Sequence, residues 1–414
     1  MDKNLIANQS NVTILPEAPN RMRSIDQIRG LLIFLNAVTY ICGAFVAITS
    51  KLPFVNGDKF TFELLKGIPL DDIFLPMFVF IMGLTACSSF KKLQEAKGQT
   101  FAAKKFAFKY LVLIGFGTVM MDGLACAYEF IAGKILSEFK LGEQAAIILF
   151  FACLPLILFY FITKIIRNKK LTKIAGLMIK IVWAFGGAAA VFFLATSTGA
   201  IFSGVPQQNI WDVFQTIGLA GLIALPFMGL NRYGKLIAAL ALGVLLTAFY
   251  RYGGLQGFGD NIFNGGLVGG FGWAIAVLLG GYFRDVKQKP VLYWVSAIVA
   301  VAVPAVLVTV FGFVAVRRGC TPVYAVFASG LGAVIWGIFN LIERVYKPKY
   351  SFLSIWGGSS LLTYALSMVF ATLLQTFVPI ETPLFAAIIV SVVIVGGLYA
   401  LNHILTRKDI HIKI

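Results

Sequence analysis

An all-α fold, a polytopic transmembrane bundle of ten to twelve helices with both termini cytoplasmic, is predicted by three features of this 414-residue sequence. First, 59% of its residues are hydrophobic and only 13% charged, and the mean hydropathy is +0.87, a balance foreign to water-soluble domains. Second, the apolar residues gather in runs of roughly 17 to 25, enough to cross a hydrocarbon core of about 30 Å as helices. Third, the basic residues segregate between alternate loops. Of the 35 Lys and Arg, 26 fall in the N-terminal tail and the loops on its side, and eight fall in the others. By the positive-inside rule the tail is cytoplasmic. Lys180 belongs to neither set, lying inside its helix with reach enough to snorkel to the cytoplasmic interface. The net charge of +17 is therefore an orientation signal, and no nucleic-acid partner is needed to explain it.

Taken in order, residues 1–26 are polar and include Pro16 and Pro19; without a short apolar core and cleavage site they read as a cytoplasmic tail and not a signal peptide. The membrane domain covers residues 27–405. Its first run begins near Gln27, and the next near Asp71, Tyr110, Ala145, Ala175 and Trp211. Six more begin near Lys235, Gly265, Pro290, Pro322, Phe352 and Pro383. The run from Lys235 looks short, which keeps the count at ten to twelve. Residues 406–414 form a second cytoplasmic tail. No polar segment exceeds about 25 residues, half the length of a small domain, so there is no separate soluble unit. The expected setting is the cell inner membrane, with the bilayer as first partner; a homodimer is compatible with such a bundle.

Chemistry must then come from helix ends, short loops and the bundle interior. In RMRSIDQIRG, Arg21, Arg23, Asp26 and Arg29 cluster where the first span leaves the cytoplasm. One reading is an Asp26–Arg29 ion pair at i, i+3 with Ser24 as N-cap; the other is an anion site, since guanidinium groups suit phosphates. In TFELLKGIPLDD, Glu63, Asp71 and Asp72 crowd the outer mouth of the second span. One of the aspartates can cap that helix, but capping does not use both. Asp122 lies about twelve residues into its span, near the midplane, where carboxylates face the bundle interior or a water cavity. Glu129 follows two turns on, along the same face. Asp260 sits in a glycine-rich loop before two small-xxx-small pairs, Gly265 with Gly269 and Gly266 with Gly270, which suit close helix packing. Asp212 can cap the sixth run, and Gln215 one turn deeper requires a partner within the bundle. The histidines, His403 and His411, are confined to the C-terminus, and the five cysteines lack metal-ligand spacing. No metal site is predicted.

RMRSIDQIRGLLIF, followed by GIPLDDIFLPMFVFIMG, resembles the opening of the heparan-alpha-glucosaminide N-acetyltransferase family of membrane acyltransferases and its bacterial relatives. Ser24, Asp26, Arg29 and Gly30 match the first block; Gly67, Asp72, Pro76, Phe78, Phe80, Ile81 and Gly83 match the second. Weaker echoes follow at Gln215, Gly266, Gly280, Thr321, Tyr324, Phe327, Gly330, Gly357, Leu361 and Tyr364. The resemblance implies transfer of an acetyl group from cytoplasmic acetyl-CoA to an amino sugar on the opposite face. The chain departs from the family at its chemistry. The position of the family's catalytic histidine is Phe62, that of its active-site asparagine is Tyr40, and the arginine that follows the matched glutamine is Thr216.

Acyl transfer without that histidine needs another base, and a carboxylate can deprotonate an acceptor for direct attack on a thioester. Glu63 and Asp72 are the candidates for that role, Arg21, Arg23, Asp26 and Arg29 for the cofactor, and Asp71, Asp122, Glu129, Gln215 and Asp260 for a substrate path. The acceptor is a carbohydrate or another small polar molecule. Three alternatives stand beside this reading: a transporter or flippase for a glycan or small polar metabolite, a catalytically inactive family member, and a non-enzymatic membrane partner in an envelope assembly.

Overall fold

The computed structural model describes residues 22–50, 61–62, 68–69, 71–131, 133–139, 141–166, 168–201, 213–252, 266–316, 319–345, 352–379 and 382–407. Each of the twelve apolar runs is helical. The chain enters through α1 (Arg23–Gly43) and the single turn α2 (Val46–Thr49). A two-residue antiparallel pair, β1 (Thr61–Phe62) with β2 (Ile68–Pro69), precedes α3 (Phe74–Lys97). Next, α4 (Gln99–Phe116) runs through a π-helical stretch, Gly117–Asp122, into α5 (Gly123–Ile131). Then come α6 (Leu141–Ile165), α7 (Lys169–Ile201), α8 (Val213–Ala224), α9 (Arg232–Tyr252) and α10 (Gly266–Val286). The chain closes with α11 (Pro290–Thr309), α12 (Pro322–Val345), α13 (Phe352–Gly358), α14 (Ser360–Phe377) and α15 (Leu384–Arg407).

Among the described residues, nine helices are long and apolar enough to cross a membrane, or ten if the bent pair α13–α14 counts as one. The run from Lys235, expected to be short, belongs to the full 21-residue α9. The short helix is α8, twelve residues long. It ends in a 3-10 turn, Leu225–Phe227, because Pro226 offers no N–H and its ring crowds the preceding turn.

Packing sorts the helices by depth. α10 lies at the centre against α3, α8, α9 and α12. Trp273, Ala274, Ile275, Ala276, Val277 and Leu278 are each at most 1% exposed, the signature of a helix covered on every side. Of the expected pairs, Gly270 packs on Leu219 and Ile223 of α8, and two further close approaches use glycines outside those pairs: Gly280 sits against Gly83 of α3, and Gly272 against the Cys320 carbonyl. α6, α11 and α15 form the periphery and leave large apolar side chains such as Phe161, Val303 and Val393 exposed, as a lipid-facing surface requires.

The first helix is fixed at its N-terminal end. Ser24 is not the N-cap; Met22 is. Ser24 is fully buried and reaches across to α12, its N–H donating to Glu343 (3.2 Å) and its hydroxyl to Asn340 (3.0 Å). Arg284 and Lys287, after the end of the α10 core, both donate to the Met22 sulfur, at 2.7 and 3.6 Å. Burial lowers the pKa of Lys287, in the turn after α10, and Arg284 lowers it further. On the opposite face α1 crosses α13 with backbone against backbone: a Cβ on Gly30 would strike the Leu353 carbonyl, and one on Gly357 the carbonyl of Asp26. Just beyond that crossing the chain turns by 87° into α14. Asn402 of α15 holds the turn by donating to Thr363 (2.8 Å), whose backbone N–H bonds the Ser359 carbonyl.

Candidate functional site

Two polar centres stand in the bundle, one near the start of α1 and one at the end of the π-helical stretch. The first is the Asp26–Arg29 pair on α1. Asp26 is 8% exposed, and a guanidinium nitrogen of Arg29 lies 3.8 Å from its carboxylate. The pairing expected from i, i+3 spacing is therefore present, and it sits at the Gly30–Gly357 crossing beside the α13–α14 turn. Arg23 is half-buried in the first turn of the same helix. Arg21 lies outside the described residues.

The second centre is Asp122. It ends the π-helical stretch, a local widening that often marks functional sites. The amide of Gln215, fully buried on α8, donates to its carboxylate at 2.5 Å and lies 3.4 Å from the hydroxyl of Thr118. Both sequence expectations are met by one contact: the deep carboxylate faces the bundle, and the glutamine finds its partner there. A charged acceptor makes this one of the stronger classes of hydrogen bond. Glu129, two turns further along, is exposed and takes the Lys134 ammonium at 2.8 Å. That bond raises the Lys134 pKa. Asp122, Glu129 and Glu143 all lie within electrostatic range of Cys126, so this end of the bundle carries a group of carboxylates.

From the Asp122 centre runs a ladder of edge-on rings from five helices. Tyr40 (α1) meets Tyr364 (α14) at 6.1 Å, and Tyr364 meets Phe214 (α8) at 5.3 Å. Phe116 (α4) then stands 5.0 Å from Phe214 and 5.1 Å from Trp183 (α7). Phe116 directly precedes the π-helical stretch and Phe214 directly precedes Gln215, so the upper end of the ladder adjoins the Asp122 centre. Tyr40 supplies the ring at the α1 end of the ladder.

The helices that carry the ladder are clamped by glycine. A Cβ on Gly115 would strike the Trp183 carbonyl and crowd the Gly187 amide; one on Gly187 would strike the Leu111 carbonyl and crowd the Gly115 amide. The span formed by α4 and α5, then α6, then α7 follow one another through short connections, so α4 and α7 run in the same direction where these glycines cross.

Of the outer-mouth residues, Asp72 is half-buried, and its backbone carbonyl accepts the hydroxyl of Tyr324 on α12. The backbone of Asp71 begins the 3-10 turn into α3. Phe62, where the family has its histidine, pairs with Ile68 in the β1–β2 ladder. The side chain of Asp71, and Glu63 and Asp260 altogether, lie outside the described residues, as does Asp212. No group of three or more potential metal ligands occurs among the described residues.

Sequence reasoning missed three charged groups. Lys235 is 1% exposed and bonds Asp285 at 2.5 Å, although its place at a helix start reads as a loop cation. Lys109 and Lys180 share one electrostatic neighbourhood with Arg29; only the crossing of α4 and α7 brings them together. Compared with protein families and with curated proteins, the chain matches none.

Proposed function

We propose that the chain is a multi-pass inner-membrane protein, with ten to twelve crossings and both termini cytoplasmic, that passes an acetyl group from cytoplasmic acetyl-CoA to an extracytoplasmic amino sugar or glycan. The observation that carries this reading is the presence in one bundle of a cationic and an acidic centre: Arg29 beside Asp26 near the start of α1, and Asp122 held by Gln215, from which an aromatic ladder leads to Tyr40 further along α1. Cations suit a phosphate-bearing donor, rings suit a thioester arm, and a carboxylate suits an acceptor amine. The motif resemblance at Ser24, Asp26, Arg29, Gly30, Asp72 and Gly83 supports the same reaction.

In this mechanism Asp122 takes the proton of the acceptor ammonium and Gln215 holds its carboxylate in place. The freed amine attacks the thioester carbon; the C–N bond forms as the C–S bond breaks, and the second proton that the amine nitrogen sheds passes to the departing thiolate, which leaves as the thiol. Glu63 and Asp72, the candidates for the base in the sequence, are here proposed to orient the acceptor, and Asp122 takes the role of base. Purified protein should bind acetyl-CoA saturably, and Arg29→Ala should weaken binding about tenfold or more, as loss of a charge-assisted contact does. Asp122→Asn should abolish transfer while leaving binding intact. Absence of saturable binding by the unsubstituted chain would overturn the reading.

The 87° turn between α13 and α14 favours a second reading, a transporter or flippase, because interrupted spans commonly frame transported ligands. Uptake of a glycan or sugar into proteoliposomes without acetylation would decide for it.

A further inference from the structure

Lys109 and Lys180 have no role in the reaction just described, yet three helices bring them to one place with Arg29. Along α4, Lys109 precedes Phe116 by seven residues, two full turns, and so shares its face. Along α7, Lys180 precedes Trp183 by three residues, and along α1, Arg29 precedes Tyr40 by eleven; each again stands on the face of its ladder ring. The parallel crossing sets the depth. Lys109 lies six residues before Gly115 and Lys180 seven before Gly187, so the two are level, about 10 Å on the same side of the contact. Lys109 is exposed and Lys180 half-exposed, while the charges that act on Lys109, among the described residues, are those of Arg29 and Lys180. Like charges gathered at a protein–membrane boundary repel one another, and neither lysine makes an ion pair among the described residues. An anion relieves that repulsion.

The geometry points to a phosphate-binding site formed by Arg29, Lys109 and Lys180 beneath the aromatic ladder, taking a phosphate monoester or diester. The chemistry is common to a soluble phosphorylated ligand and to an anionic lipid headgroup; basic pockets between spans hold such headgroups. The inference rests on the proposed function only for the side from which the ligand arrives.

The test uses the full chain in phosphatidylcholine nanodiscs, with pyrophosphate as soluble probe and added phosphatidylglycerol as lipid probe. Saturable pyrophosphate binding that weakens about tenfold in each of Lys109→Gln and Lys180→Gln supports the site with a soluble ligand. Phosphatidylglycerol retained in native mass spectra, lost in the double substitution, and without pyrophosphate binding supports it with a lipid ligand. Lys109→Arg, which keeps the charge, should bind like the unsubstituted chain, and Lys92→Gln, an exposed lysine elsewhere on α3, should too. No binding of either probe, equal binding by the glutamine variants, or an equal loss in Lys92→Gln overturns the site. Loss of acetyl transfer with phosphate binding intact sinks only the acyltransferase reading.

Discussion

Lys235 illustrates what single residues contribute to this bundle. Its ammonium is enclosed by α9, α10 and Cys87 of α3, and its charge is tolerable only because Asp285 lies 2.5 Å away. Breaking such a pair from one side costs about 3–5 kcal/mol, whereas replacing both partners by apolar groups is often neutral. Asp285→Leu should therefore lower the melting temperature in detergent sharply, and Lys235→Met with Asp285→Leu should restore most of it. A double variant no more stable than Asp285→Leu alone would mean that the cost lies elsewhere. Asp122 calls for a milder experiment: Gln215→Leu removes the donor and leaves a carboxylate without its amide, so it should destabilise by about 1–3 kcal/mol. Gln215→Glu adds a second carboxylate at 2.5 Å and should do worse at neutral pH than at low pH. Asp122 was legible in the sequence because depth alone singles out a midplane carboxylate, and Gln215 because a buried amide needs a partner. Lys235 was not, since a lysine four residues into a helix looks the same whether it faces water or another helix.

At the scale of helices, small residues decide which pairs touch. Gly115 and Gly187 bring α4 and α7 backbone to backbone, and any side chain at either position meets a carbonyl that cannot give way. Gly115→Val should disperse the protein into aggregates on size-exclusion chromatography, with a cost of at least about 1–3 kcal/mol from overpacking. Gly396 on α15, with nothing near its missing Cβ, is the control: Gly396→Ala should be neutral or stabilise by up to about 1 kcal/mol. The helical stretches were visible as twelve apolar runs, but the helix ends were not. Pro226 cuts α8 short in a stretch whose hydropathy continues unbroken, and the glycine spacing pointed to Gly270, which packs on α8, but not to Gly272 and Gly280. Spacing identifies a smooth helix face and leaves open which neighbour it meets.

For the whole molecule, the orientation drawn from 26 against eight basic residues predicts which loops face out. In a cysteine-free background, a membrane-impermeant maleimide added to intact cells should label Lys134→Cys and spare Lys169→Cys until the membrane is opened; the reverse pattern would invert the bundle. The interior position of α10 bears on how the protein is made. Covered by α3 and α8 before it in the chain and by α12 after it, this helix has no finished neighbourhood when it leaves the ribosome. Its wall is completed only once synthesis has passed Val345, so α10 must wait beside the insertion machinery or in lipid with Gly272 and its α12 side uncovered. Chains truncated after α11 should be cleared by membrane proteases in pulse-chase experiments, while chains that extend through α12 should persist. The order of synthesis and the order of burial thus differ in this bundle, and the central helix is among the last to reach its final surroundings.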